Sequence, residues 1–163
     1  MKYFLVGIKG TGMSALAQIL DGLGYEVEGS DKPDHFFTEQ ALVEKGIKIY
    51  EFNKDNIKED MIIIQGNAFK DTHEEIVRAK ELGLKIYSYQ DMVGKLTRMF
   101  KTITIAGCHG KTTTTAMLSH VLKNITGCNY LIGDGTGDAS KENEYFALEA
   151  CEYKRHFLNY TSY

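Results

Sequence analysis

A glycine-rich stretch near the start of the chain has the residues needed to bind a diphosphate. Residues 7–15 read Gly-Ile-Lys-Gly-Thr-Gly-Met-Ser-Ala and contain the pattern G-x-G-x-x-A. Gly10 permits a tight turn, Gly12 lets the backbone approach a diphosphate, and Ala15 allows a helix to pack closely on a sheet. Asp31 follows Gly12 by nineteen residues, where a carboxylate can accept a hydrogen bond from a ribose hydroxyl. These features fit NAD as well as UDP.

A second stretch is typical of loops that bind the phosphates of ATP. Residues 105–114 read Ile-Ala-Gly-Cys-His-Gly-Lys-Thr-Thr-Thr. In this interpretation backbone N–H groups cradle the phosphates, Lys111 bridges the β- and γ-phosphates, and the hydroxyl of Thr112 holds Mg²⁺. The usual pattern G-x-x-x-x-G-K-[ST] has glycine where this chain has Ile105, so the loop is a shorter variant. His109 would lie beside the bound phosphate.

Glu149 is the candidate for a second Mg²⁺ ligand. It ends a short β-type run that begins at Tyr145, so its carboxylate would stand at the end of a strand. A carboxylate there could face the Lys111 loop and complete an oxygen site for the metal.

Alternating strand and helix patterns predict the elements that position these residues. The predicted strands are Lys2–Val6, Glu26–Glu28, Lys48–Tyr50, Met61–Ile64 and Lys85–Tyr87, and the predicted helices are Met13–Leu23, Thr38–Lys45, His73–Leu82 and Gln90–Arg98. The residues from Thr72 to Glu75 read as a capping box for the third of these helices. Repeated β-α-β units predict a doubly wound, Rossmann-like α/β domain with a parallel sheet over residues 1–98.

A new strand-loop-helix unit begins at Thr102–Ala106, so a second, incomplete P-loop domain is predicted over residues 99–163. A parallel sheet with so few strands would leave its edges unpaired and its apolar faces uncovered. We therefore expect this segment to pack against the first domain, to associate with another copy, or to stay mobile, with weak protection from hydrogen exchange beyond residue 98.

Composition limits the function classes. A chain of 163 residues with 43% hydrophobic content can bury one good core and part of another. Its 19 Lys and Arg against 22 Asp and Glu do not suggest nucleic-acid binding. No apolar run approaches the roughly 20 residues that span a bilayer. Cys108, Cys128 and Cys151 are odd in number and lack metal-type spacing, which favours free thiols and a cytoplasmic location.

The two loops, in this order, resemble the Mur ligase family of ATP-dependent ligases in peptidoglycan precursor synthesis. The segments that carry the resemblance are Val6–Ser14, Gly29–Asp31, Gly107–Thr114 and Glu149–Tyr153. The resemblance implies a three-domain enzyme whose first domain holds UDP, whose second holds ATP and Mg²⁺, and whose third receives the amino acid. It implies ligation of L-alanine to UDP-N-acetylmuramate. The chain would end inside the second domain, so we expect it to bind the UDP-sugar without ligating.

The patterns and the resemblance together assign three sets of residues. The UDP-sugar set is Gly10, Thr11, Gly12, Met13, Ser30 and Asp31, with Asn67 and Ala68 placed near the uracil or its ribose by resemblance. The ATP-phosphate set is Gly107, Cys108, His109, Gly110, Lys111, Thr112 and Thr113, with Lys111 as the catalytic residue. The Mg²⁺ ligands are Thr112 and Glu149.

Three alternatives remain open. A sister ligase that attaches a ready-made tripeptide to the same sugar nucleotide shares these motifs. An NAD-dependent dehydrogenase or NAD-sensing regulatory module explains the first loop but leaves Gly110, Lys111 and Thr112 without a role. A plain binding module for UDP-sugars would use the first loop alone.

Overall fold

A five-stranded parallel sheet forms the amino-terminal part of the protein, in a computed structural model that describes residues 1–150. Its strands are β1 (Lys2–Val6), β2 (Glu26–Asp31), β3 (Lys48–Glu51), β4 (Met61–Gln65) and β5 (Ile86–Ser88), in the order β3-β2-β1-β4-β5. Four helices accompany them: α1 (Thr11–Gly22), α2 (Glu39–Glu44), α3 (Glu74–Glu81) and α4 (Tyr89–Met99). The predicted α/β fold with a parallel sheet is confirmed.

The strand order reverses at β1, which pairs with both β2 and β4. Val6 is the register partner of Ser30 on one side and of Gln65 on the other. The carboxyl ends of these three strands therefore meet at one edge of the sheet. Loops that follow them open a crevice, which is where open α/β sheets bind ligands.

The predicted capping box at Thr72–Glu75 is wrong. Helix α3 begins at Glu74, and its N-cap residue is His73, which makes no capping hydrogen bond with its side chain. The physical reason is the direction of the Glu75 side chain. It is fully buried and accepts a hydrogen bond from Ser30, so it does not turn back to the helix end.

A four-stranded mixed sheet forms the rest of the described chain, from Lys101 onward. Its strands are β6 (Lys101–Ile105), β7 (Cys128–Leu131), β8 (Gly137–Asp138) and β9 (Tyr145–Glu149), in the order β6-β9-β7-β8, and helix α5 spans Lys111–Ile125. Strands β7 and β8 are antiparallel, whereas β9 pairs in parallel with β6 and β7. The sequence patterns did not predict β7 and β8, because both are short and neither alternates apolar with polar residues.

Helix α1 lies between the two sheets and is buried from Met13 to Leu20. A Cβ atom added at Gly137 of β8 would stand 2.4 Å from the carbonyl oxygen of Ala15, so glycine permits this close approach. Gln18 donates from Nε2 to the carbonyl oxygen of Gly135 at 2.8 Å. Three outcomes were expected for the second segment, and its described part shows the first of them, packing against the preceding part of the chain.

Both sheets contribute to one apolar cluster around α1. Leu131, Phe146 and Leu148 of the second sheet belong to the same buried set as Leu16 and Leu20 of the helix. The domain boundary near residue 98 stays a prediction. The chain passes from the first sheet to the second after α4, but residues of both sheets belong to the same apolar cluster. Within residues 1–150, no helix is both long and apolar enough to cross a membrane.

Candidate functional site

A cavity of about 360 Å³ opens at the carboxyl edge of the first sheet. It is lined by the glycine-rich loop and by the segments that follow β2 and β4. Seven of the eight residues predicted to bind a UDP-sugar line it: Gly10, Thr11, Gly12, Met13, Asp31, Asn67 and Ala68. The eighth, Ser30, does not. The structure thus brings most of this set together, and its ligand stays a prediction.

Two glycines in the loop make room for aromatic rings that wall the cavity. Gly7 has a φ of 87°, and a Cβ atom there would lie 2.2 Å from Cε2 of Phe69. A Cβ atom at Gly12 would lie 2.9 Å from Cζ of Tyr89. A side chain at either position would force the ring to move, and at Gly7 it would also have to adopt a left-handed backbone conformation. Gly10 is the N-cap residue of α1 without a capping side chain, which suits an anionic ligand at that helix end.

Asp31 is held rigidly at the wall of the cavity. Its Oδ2 accepts a hydrogen bond from the backbone N–H of Lys9 at 2.7 Å, and Oδ1 accepts from the N–H of Lys32 at 2.8 Å. A carboxylate offers about four acceptor positions, so two stay available to a ligand. This geometry suits the predicted hydrogen bond to a ribose hydroxyl.

Ser30 supports the glycine-rich loop from outside the cavity. Its hydroxyl donates to Oε2 of Glu75 at 2.5 Å. Its carbonyl oxygen accepts from the N–H groups of Gly7 and Ile8, at 2.8 and 3.1 Å. Adjacent residues of a strand point to opposite faces, so Ser30 and Asp31 could not both face the ligand.

Sequence reasoning missed the buried Lys9, which braces the segment after β2. Its ammonium donates to the carbonyl oxygens of Lys32 and Asp34, at 3.1 and 3.0 Å, and pairs with Glu39 at 3.3 Å. Burial raises the pKa of the Glu39 carboxyl, but the hydrogen bond and charge of Lys9 outweigh it and hold the pKa below its usual value. Phe36 of this segment lines the cavity.

The missed aromatic residues Phe36, Phe69 and Tyr89 carried one weak signal in the sequence. Each follows a strand within a few residues, near the carboxyl edge of the sheet. An aromatic residue at such a place can pack in the core or face a ligand. The sequence alone does not separate these two roles.

The second candidate loop joins β6 to α5. Gly110 adopts a left-handed conformation with a φ of 74° and is the N-cap residue of α5, so it brings the chain sharply into the helix. Lys111 follows, and its ammonium donates to the carbonyl oxygen of Gly107 at 2.6 Å. Cys108 and His109 between them are exposed. A ligand can therefore reach the loop from solvent.

Thr112 and Glu149 meet beside this loop. Parallel pairing of β6 with β9 sets Ile105 opposite Glu149, so the carboxylate stands where the loop begins. Thr112 donates from Oγ1 to Oε1 of Glu149 at 3.1 Å, and Oε2 accepts from the N–H of Gly133 at 2.7 Å. Thr113, in the first turn of α5, is exposed.

The Thr112 and Glu149 oxygens have the chemistry of Mg²⁺ ligands. Within residues 1–150, no three His, Cys, Asp or Glu residues converge on a metal-sized site. Mg²⁺ in nucleotide sites is usually held by one or two protein groups, with phosphate and water oxygens completing the shell. The donor set fits the ion on that basis, and the assignment stays a prediction.

Comparison with known families decides the family. The model described as Mur ligase family, catalytic domain, matches residues 2–101. This chain belongs to the Mur ligase family. The resemblance inferred from the two loops is therefore confirmed at the level of the family.

Solved structures of Mur ligases have the same fold. The chain is 29% identical to UDP-N-acetylmuramate-alanine ligase from Thermotoga maritima, with a TM-score of 0.78 over 91% of this chain and 36% of that one. It is 28% identical to a murein peptide ligase from Psychrobacter arcticus, with a TM-score of 0.81 over 99% and 41%. It is also 28% identical to UDP-N-acetylmuramate:L-alanyl-gamma-D-glutamyl-meso-diaminopimelate ligase from Neisseria meningitidis, with a TM-score of 0.80 over 93% and 53%.

The chain spans between 36% and 53% of the length of these three structures. The match reaches across both sheets of the protein, because it covers at least 91% of the chain. The arrangement of two sheets around α1 is therefore shared with Mur ligases of different substrate.

Proposed function

We propose that this chain is the amino-terminal part of an ATP-dependent ligase that joins L-alanine to UDP-N-acetylmuramate. One observation carries the proposal. Two loops of phosphate-binding type each connect a parallel strand to the start of a helix, and the second has Lys111 together with the paired oxygens of Thr112 and Glu149. A dinucleotide-binding module would have no use for that second loop.

The cavity beside the glycine-rich loop is the proposed UDP-sugar site. Its volume of about 360 Å³ lies within the range of small-molecule sites. The loop at Gly10–Met13 would bind the diphosphate at the start of α1, and Asp31 would accept from the ribose. Asn67 and Ala68, after β4, would contact the uracil or its ribose.

The proposed reaction transfers a phosphoryl group and then an acyl group. The lactyl carboxylate of UDP-N-acetylmuramate attacks the γ-phosphorus of ATP and releases ADP, and the amine of L-alanine displaces phosphate from the resulting acyl phosphate. Lys111 and the loop amides at Gly107–Gly110 would hold the β- and γ-phosphates during the transfer. Mg²⁺ bound at Thr112 and Glu149 would neutralise phosphate charge. A ligase that consumes ATP in this way would work in the cytoplasm.

A peptide ligase is the second candidate. The identity to the two peptide ligases, 28%, is nearly the same as the 29% to the alanine ligase. The two activities share the sugar nucleotide and ATP and differ in the acceptor amine, for which the resemblance implies a third domain.

The test is an assay of phosphate release from ATP by a longer protein that contains these residues. UDP-N-acetylmuramate is supplied with L-alanine in one arm and with the tripeptide L-alanyl-γ-D-glutamyl-meso-diaminopimelate in the other. The proposal expects release that depends on L-alanine. Release with the tripeptide alone would establish the second candidate, and release in neither arm would contradict both.

A further inference from the structure

Glu75, in the first turn of α3, is a fully buried carboxylate outside the cavity. Its Oε2 accepts from the hydroxyl of Ser30 at 2.5 Å, and its Oε1 accepts from the backbone N–H of Asn53 at 3.2 Å and from Nδ2 of Asn56 at 2.9 Å. All three donors are neutral. Nδ1 of His73 lies 3.9 Å from Oε2, which is too far for a hydrogen bond. Burying a carboxylate is costly, so an apolar residue would stabilise this position more simply if only packing mattered.

The hydrogen bond to Ser30 connects Glu75 with the candidate UDP-sugar site. The carbonyl oxygen of Ser30 accepts from the N–H groups of Gly7 and Ile8, at 2.8 and 3.1 Å. Gly7 lines the cavity and begins the glycine-rich loop. The position of Ser30 therefore sets where that loop leaves strand β1.

The same end of α3 also supports an aromatic wall of the cavity. The ring of His73 stands edge-on to Phe69, with 5.1 Å between the ring centroids, and edge-on to Phe52 at 4.7 Å. Phe69 in turn lies against Gly7. The start of α3 thus contacts the ring of Phe69 directly through His73 and supports Gly7 indirectly, through the hydrogen bond from Ser30 to Glu75.

We infer that Glu75 is a positioning residue for the glycine-rich loop and, through Ser30, for the binding of the diphosphate of a UDP-sugar. The identity of this ligand rests on the proposed function. Glu75 does not line the cavity, so its effect on affinity must pass through the residues it holds. Three donors converge on it, and only a carboxylate has acceptor positions for all of them without presenting a donor of its own.

Glu75→Gln is the variant that separates positioning from packing. Glutamine has the same shape, but its amide presents a donor where the carboxylate presents an acceptor. If this donor faces Ser30, the serine hydroxyl must turn to accept from it; if it faces the two asparagines, it meets two donors. In either orientation the native arrangement of hydrogen bonds between Ser30, Glu75 and the asparagines is lost. We expect binding of UDP-N-acetylmuramate to weaken about tenfold, as for the loss of one well-formed buried hydrogen bond. Glu74→Gln is the matched control, since Glu74 precedes it on the same helix, is exposed, and accepts from the backbone N–H of Lys54 at 3.3 Å.

The experiment is calorimetric titration of the 163-residue chain with UDP-N-acetylmuramate, at a temperature where thermal unfolding shows each variant to be folded. The variants are Glu75→Gln, Ser30→Ala, the double variant and Glu74→Gln. Because Glu75 acts through Ser30, each single variant should weaken binding about tenfold and the double variant should be no weaker than the singles. The Glu74 variant should bind like the wild type. A residue with a structural role alone would lower the unfolding temperature and leave the affinity unchanged.

Wild-type affinity in the folded Glu75→Gln variant would overturn the inference. Losses in the double variant equal to the product of the single losses would also overturn it, because the two residues would then act independently. If Glu75→Gln does not fold, Ser30→Ala decides alone, and wild-type affinity in it rejects the inference. No binding by the wild type would instead reject the proposed function, and this inference with it.

Discussion

At the residue scale, backbone groups hold one charged side chain in each of the two sites. The Lys111 ammonium donates to a carbonyl oxygen of its own loop, and the Asp31 carboxylate accepts from two backbone N–H groups. These hydrogen bonds fix the orientation of both side chains. Their proposed roles differ. Lys111 would stabilise charge that develops during phosphoryl transfer, whereas Asp31 would bind a ribose hydroxyl, which does not react.

Lys111→Ala should lower kcat by about 10²–10³ in a ligase that contains these residues, as the loss of one charge-stabilising group usually does. The affinity for UDP-N-acetylmuramate should hardly change, because Lys111 is in the other loop. Steady-state kinetics and calorimetry measure the two effects. Lys123→Ala is the control, since Lys123 lies on the same helix and pairs with Asp138 at the surface. Near-normal turnover of the Lys111 variant would show that the phosphate-loop interpretation is wrong.

Asp31→Ala should have the opposite effect. It removes the acceptor for a ribose hydroxyl and frees the N–H groups of Lys9 and Lys32. Affinity for UDP-N-acetylmuramate should fall at least tenfold, by the size of one or two hydrogen bonds, with kcat at saturating substrate nearly unchanged. A large loss in kcat with unchanged affinity would contradict the assignment of Asp31.

At the element scale, the contact between α1 and the β7–β8 turn joins the two sheets. Gln18 is buried, and its Nε2 donates to the carbonyl oxygen of Gly135 in that turn. The same nitrogen is within 3.2 Å of Oγ of Ser14. Leaving the buried carbonyl oxygen of Gly135 without its donor costs free energy.

Gln18→Ala should therefore lower the free energy of unfolding by about 1–3 kcal/mol. Urea unfolding of the chain measures this change. Gln40→Ala is the control, because Gln40 is exposed and donates to Glu44 on the surface of α2. It should change stability by less than about 0.5 kcal/mol. Equal effects of the two substitutions would show that the contact contributes nothing to stability.

Elements with a clear period could be predicted from the sequence, and elements formed by distant contacts could not. Strand β1 was predicted with its observed bounds, and α1 was predicted because its apolar residues recur at helical spacing. Strand β8 has two residues, and it forms because Gly137 lets it lie against α1. The role of Ser30 was missed for a similar reason, since Glu75 reaches it from 45 residues away.

At the scale of the whole molecule, the two sheets share one apolar core around α1. The sequence alone led us to expect weak hydrogen-exchange protection beyond residue 98, since a short sheet there would leave its faces uncovered. The structure changes this expectation, because Leu131, Phe146 and Leu148 are buried with residues of α1.

Hydrogen exchange of the monomeric chain should accordingly show strong protection in β7 and β9, comparable with that in β1. Buried strands exchange through openings that expose the core they belong to. Mass spectrometry of peptic fragments measures the protection of each strand. Rapid exchange throughout Cys128–Leu131 and Tyr145–Glu149, beside slow exchange in Lys2–Val6, would contradict the shared core.

The glycine-rich site is proposed to bind a UDP-sugar and not a dinucleotide. Calorimetric titration of the wild-type chain with UDP-N-acetylmuramate and, separately, with NADH tests this proposal most directly. We expect saturable heat with UDP-N-acetylmuramate at one site per chain, and none with NADH. Tight binding of NADH with no heat from the UDP-sugar would contradict it and establish the dehydrogenase or regulatory alternative.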